Sequence, residues 1–189
     1  MTALKAAGAA LVLAMVSAPA AIAEPGDQPV MPLYQLIDTA AERLQAADPV
    51  AASKWINGGP ITDTARVHQV LAAVGAEAES DGVPVDYVRT LFTDQINATE
   101  AIQYSRFAWW KLNPAAAPAT APDLSTSRTG IDALNHRMVA EIAAQLPVLR
   151  SADCSIELDA AKAAVNGARA LDPLYRQALD AATRSYCRP

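Results

Sequence analysis

The chain has 189 residues, a formal charge of −5 at neutral pH and a pI of about 4.9. An acidic chain with no run of Lys and Arg is a poor match for nucleic acid, whose binding rests on cation contacts to phosphate. Hydrophobic residues make up 52% of the sequence and glycines number only 8, which suits a helical fold with a substantial core.

The N-terminus carries one early cation (Lys5), an apolar Ala/Leu/Val run, and then Ala21-Ile22-Ala23. This is the layout of a secretory signal peptide, with cleavage expected after Ala23 and a secreted or periplasmic product. A membrane anchor is the alternative, but the run is short and ends in small residues. No other segment is long and apolar enough to cross a bilayer, so no membrane association is expected after cleavage. Residues 24–32 read as a flexible lead-in to one domain over residues 33–189.

No segment alternates like a strand, and alanine dominates, so the expected fold class is all-α, a single domain of about six helices. The first helix is expected from about Pro32 to Ile56. Asp48-Pro49 inside it implies a kink, or a fresh start capped by Asp48. Asn57-Gly58-Gly59-Pro60 ends it. Thr62 or Asp63 caps a second helix to about Ser80. The third runs from about Pro84 to Lys111, and residues 113–123 form a Pro/Ala-rich loop. Further helices are expected over about Leu124–Leu146, Asp153–Ala168 and Asp172–Tyr186.

Cys154 and Cys187 are the two cysteines. In an exported chain they are expected to form a disulfide joining the C-terminal helices. No metal site is expected, because His68 and His136 lie in different segments without ligands at zinc spacing.

Two features point to a site. Arg43 and Lys54 are eleven residues apart, three turns of a continuous helix, so both cations point the same way. On the third helix, Val85, Val88, Phe92, Ile96, Thr99 and Gln103 fall within an arc of roughly 80° at 100° per residue. That stripe turns polar at Thr99 and Gln103, and a buried polar side chain without a partner costs about 1–3 kcal/mol. A satisfied core and a lined pocket both fit. Arg106 lies near the stripe without an assigned role. Trp109 and Trp110 read as packing residues. The sequon Asn97-Ala98-Thr99 sits mid-helix and is discounted.

The segments AAERLQAADPVAASKW, DYVRTLFTDQINATEAIQYSRF, WKLNPAAAP, PDLSTSR and DALNHRM, taken in order, resemble the secreted all-helical chorismate mutases of the mycobacterial type, the gamma subclass of the AroQ family. The likeness spans about Leu33 to Cys187. It implies conversion of chorismate to prephenate by an intramolecular Claisen rearrangement, with no cofactor, metal or covalent intermediate. It also implies a homodimer. The substrate is a dianion, and negative charge grows on its ether oxygen as the C–O bond breaks. Cations and N–H donors held on rigid helices meet both needs.

By matched position, Arg43, Arg66 and Arg128 resemble the family's carboxylate-binding arginines, the last completing the site within one chain. Lys54 resembles the lysine that binds a carboxylate and donates to the ether oxygen. Asp63 matches a position near the substrate hydroxyl. Thr99 resembles a substrate contact, and Gln103 the second donor to the ether oxygen. Mycobacterial-type members carry Glu where this chain has Gln103, and other members carry Gln. Val70 stands where such members have Gln. Two other functions remain open on the sequence: a catalytically weak anion-binding helical protein, and a disulfide-stapled interaction protein without a small ligand.

Overall fold

The computed structural model describes residues 31–187, and these are all-helical. The expected signal peptide, its cleavage point and residues 24–30 lie outside the described residues. Seven α-helices follow in order: α1 (Tyr34–Gln45), α2 (Ala47–Asn57), α3 (Thr64–Ser80), α4 (Val85–Leu112), α5 (Leu124–Leu149), α6 (Cys154–Ala168) and α7 (Pro173–Thr183). Within the Pro/Ala-rich loop, Pro114–Ala116 make one 3-10 turn.

The expected 32–56 helix falls as two, α1 and α2. Pro49 has no N–H to give the Gln45 carbonyl, and its ring crowds that carbonyl, so the helix breaks at Ala46. Ala46 keeps right-handed angles (φ −66°, ψ −8°), so Arg43 and Lys54 still look into the same space. Asp48 lies in the first turn of α2 instead of capping it. It pairs with Arg106, Oδ1 to Nε at 2.7 Å and Oδ2 to NH2 at 3.1 Å. Arg106 thus ties α4 to α2 and is not a pocket residue.

Asp63 caps α3 by accepting from the Arg66 backbone N–H at 3.1 Å. Asp123 and Asp172 cap α5 and α7 in the same way. Helix α5 runs through Pro147, three residues past the expected end at Leu146, because fully buried Leu149 anchors its last turn in the core. Helix α7 stops at Thr183, short of Tyr186. Residues 184–187 turn back instead. Arg184 Nε donates to Asp94 Oδ1 at 2.8 Å, Ser185 Oγ donates to Asp94 Oδ2 at 2.6 Å, and the Tyr87 hydroxyl donates to the Tyr186 carbonyl.

Helix α4 is the axis. It packs on α7, α3 and α2, while α1 packs on α5, α6 and α7. Such a helix is buried on more than one side. Of the expected stripe, Val88, Phe92, Thr99 and Gln103 are buried while Val85 and Ile96 are half-buried, and Leu91, Gln95, Ala98 and Ile102 on flanking faces are buried as well. Leu36, Ile37, Leu44, Phe92, Met138 and Ile142 form the fully buried centre, each worth about 1.5–3 kcal/mol on removal from water. The Cys154–Cys187 disulfide is present, with Cα atoms 5.7 Å apart, and staples the start of α6 to the C-terminal turn. Trp110 packs as expected, edge-on to Trp55 with centroids 5.5 Å apart. Trp109 does not: it is 55% exposed, on the outer face of α4.

Candidate active site

A pocket of about 570 Å³, including its open mouth, lies between α1, α2, α3, α4 and α5. All seven residues singled out on the sequence line it: Arg43, Lys54, Asp63, Arg66, Thr99, Gln103 and Arg128. Residues Val50, Ile61, Val67, Val70, Ile96 and Ile131 supply apolar wall.

Arg43 and Lys54 lie deepest, 4% and 8% exposed. Each sits in the last turn of its helix, where the macrodipole favours a cation. Arg43 Nε donates to Asn135 Oδ1 at 2.6 Å, NH1 donates to Thr99 Oγ1 at 3.2 Å, and Cζ lies 5.8 Å from the Phe92 ring centre. Burial pulls its pKa down to about 10, partly offset by Tyr186, which leaves it charged at neutral pH. The Thr99 hydroxyl donates to the Gln95 carbonyl at 2.7 Å, so toward Arg43 it acts only as an acceptor.

Lys54 Nζ donates to the Ile61 carbonyl at 2.7 Å and to Gln103 Oε1 at 3.1 Å. Burial lowers its pKa, against the raising pull of Asp63 and Glu100. Ile61 can reach back over Lys54 because the chain reverses at Gly58 (φ 80°) and Gly59 (φ 112°), angles that favour glycine. On the outside of this loop the Thr62 hydroxyl donates to Glu100 Oε2 at 2.9 Å.

The other two cations are closer to the mouth. Arg66 NH2 pairs with Asp132 Oδ1 at 2.5 Å, and NH1 donates to Gln69 Oε1 at 3.0 Å. Arg128 NH2 pairs with Asp63 Oδ2 at 2.6 Å. Both Asp63 oxygens are therefore engaged, and the Arg66 backbone N–H, with Arg128 and Lys54, holds its carboxyl below the usual range. Asn135, Asp132 and the Ile61 carbonyl were missed on the sequence. Asp132 and Asn135 had a legible signal: with Arg128 they fall at i, i+4 and i+7, a polar stripe on α5.

Four cations, a primary amide and apolar walls define an all-helical pocket suited to a small organic anion. The model for type II chorismate mutases matches residues 34–104. A secreted chorismate mutase of Mycolicibacterium smegmatis is 55% identical over 157 residues, covering 83% of this chain and 87% of the relative. One of Mycobacterium tuberculosis is 53% identical over 155 residues, covering 82% and 78%. The crystal structure of chorismate mutase from Burkholderia thailandensis superposes with a TM-score of 0.79 at 34% identity, covering 83% of this chain and 99% of that one. The chain belongs to the secreted chorismate mutases of type II, a family of isomerases.

Proposed function

We propose that this pocket converts chorismate to prephenate, and that the lined residues divide the work by depth. Arg43, Arg66 and Arg128 bind the two substrate carboxylates and hold the side chain folded over the ring. That converts a floppy reactant into a near-attack geometry. Lys54 and Gln103 place N–H donors where the ether oxygen gains charge. The reaction moves electrons within one molecule, so it calls for no cofactor, nucleophile or metal.

The observation that carries this reading is the Lys54–Gln103 contact. An ammonium only donates, so it holds Gln103 Oε1 and leaves the Nε2 donors for a ligand. Among the described residues Nε2 makes one hydrogen bond, to the Thr99 carbonyl at a weak 3.5 Å. Two adjacent donors around one oxygen position suit an oxyanion that develops during reaction.

Export is supported by the relatives' description as secreted enzymes and by the N-terminal pattern around Lys5 and Ala21–Ala23. A homodimer is the assembly the family resemblance implies. The exposed Tyr104, Trp109 and Leu112 on the outer face of α4 support it. The test is to add chorismate to purified protein and follow its ultraviolet absorbance. Loss of chorismate with prephenate formed supports the assignment. Saturable binding without turnover points instead to an anion-binding protein, with Val70 in the pocket wall as the first suspect.

A further inference from the structure

The two inner cations differ from the two outer ones in what holds them. Arg66 and Arg128 are each paired with a carboxylate. Arg43 and Lys54 are hydrogen-bonded only to uncharged oxygens among the described residues. Asn135 is the pivot of this difference. It is 5% exposed on α5, and its Oδ1 accepts from Arg43 Nε at 2.6 Å. Its Nδ2 donates to Asp132 Oδ1 at 3.3 Å, the same oxygen that accepts from Arg66 NH2. The amide cannot flip without losing both bonds, since a guanidinium only donates and a carboxylate only accepts.

We propose that Asn135 is a positioning residue for the reaction: it aims Arg43 at a substrate carboxylate while leaving that cation's charge unneutralised, and it ties Arg43 to Arg66 through Asp132. The bond at Nε occupies one edge of the guanidinium, and NH1 gives one hydrogen to Thr99 Oγ1, which leaves the second NH1 hydrogen and NH2 for a carboxylate. An aspartate at this place keeps the bond to Nε but cancels the charge the substrate needs and loses the donor to Asp132. That is the physical reason for an amide here. The inference rests on the chorismate reading of the pocket.

Asn135→Asp and Asn135→Ala test it, with steady-state kinetics and thermal melts beside the native protein. Arg43 binds a group that does not change during reaction, so its loss weakens ground and transition states alike. KM for chorismate should rise about tenfold or more in Asn135→Asp, with kcat within roughly threefold of native in the folded variant. Asn135→Ala should also raise KM. A purely structural role predicts lowered melting temperatures with native KM in whichever variants fold. Native KM and kcat in folded Asn135→Asp overturn the proposal. Should that variant not fold, native KM in Asn135→Ala overturns it, and failure of both to fold makes Asn135 a structural residue and also overturns it. A native protein without turnover sinks the chorismate reading itself, whereas an active native protein with a native-like Asn135→Asp sinks only this inference.

Discussion

Lys54 Nζ sits 3.1 Å from Gln103 Oε1, across the pocket from α2 to α4, and that contact decides how each residue can act. The ammonium turns the amide oxygen toward itself and the N–H donors away. A glutamate at position 103 would sit beside the same ammonium, which favours its ionised form.

The first prediction concerns this pair. Gln103 donates at every accessible pH, whereas a glutamate donates only when protonated. Gln103→Glu should lose activity as pH rises through the new carboxyl's pKa and recover toward acid, because a carboxylate repels the growing charge on the ether oxygen. Gln103→Ala should be poor at every pH, by about 2.7–4 kcal/mol of barrier. Turnover of the three proteins from mildly acidic to mildly basic pH is the check. A Gln103→Glu profile parallel to native at constant ratio would remove Gln103 as the donor.

Lys54 gives a second pH signature. Burial lowers its pKa below the ordinary lysine value, so the basic limb of kcat/KM, which reports the free enzyme, should begin below the usual lysine range. A bound dianion raises the same pKa, so the limb in kcat should lie at higher pH. Stability moves the other way. A base with a depressed folded pKa binds fewer protons folded than unfolded, so its contribution improves as pH climbs from the folded toward the unfolded value. Coincident limbs in kcat and kcat/KM would argue against an inward, ligand-facing Lys54.

Arg66→Ala and Arg128→Ala should each reduce kcat/KM heavily with helicity intact. Each removes charge-assisted hydrogen bonds worth about 1.5–3 kcal/mol, or roughly ten- to over a hundredfold. The two differ in what they leave behind. Without Arg128, the Asp63 carboxylate stands unpaired at the mouth and repels the dianion. Asp63→Asn with Arg128→Ala should therefore be better than Arg128→Ala alone, since Asn still caps α3. Circular dichroism and kinetics on the three variants decide it, and an equal or worse double variant would reject the repulsion.

Reducing Cys154–Cys187 should lower thermal stability by about 3–4 kcal/mol in the chain-entropy picture, given a 33-residue separation. Activity at room temperature should change less. The C-terminal turn is also held to α4 through Asp94 and Tyr87, so it stays in place when the disulfide opens. Melts and rates with and without reductant check this, and parallel loss of both would mean that the disulfide itself holds the pocket.

Ala170 ends α6 with φ 47°, a left-handed angle that costs an L-residue free energy. The Leu171 N–H reaches the Asn166 carbonyl at 3.1 Å and the Ala170 N–H reaches the Gly167 carbonyl at 3.1 Å, closing a Schellman turn. Ala170→Gly should stabilise the fold by about 0.5–1 kcal/mol without touching activity. A lower melting temperature would contradict it.

The helix order was legible because caps and breakers punctuate it. Asp63 before Thr64 and the Gly58-Gly59 turn mark their boundaries by local chemistry. Three details were not. The break at Ala46 precedes Pro49 by three residues, and Pro147 is overridden by the burial of Leu149. The turn at residues 184–187 depends on Asp94, distant in sequence. In the site, periodicity placed Thr99 and Gln103 inward, helical spacing put Arg43 and Lys54 on one face, and the resemblance supplied Arg66 and Arg128. What neither gave was the partner of each cation. Which arginine meets a carboxylate and which meets an amide depends on how α5 faces α1 and α3, a tertiary relation that one helix's periodicity does not contain.

The central claim, that cations and an amide inside a single chain rearrange chorismate to prephenate, is tested most directly by one paired rate measurement. Purified native protein and the Lys54→Ala, Gln103→Ala double variant are given chorismate under the same conditions. The account predicts rapid, saturable conversion to prephenate by the native chain and a rate near the uncatalysed one for the folded double variant. A native chain that does not convert chorismate, or a folded double variant that converts it at the native rate, would contradict it.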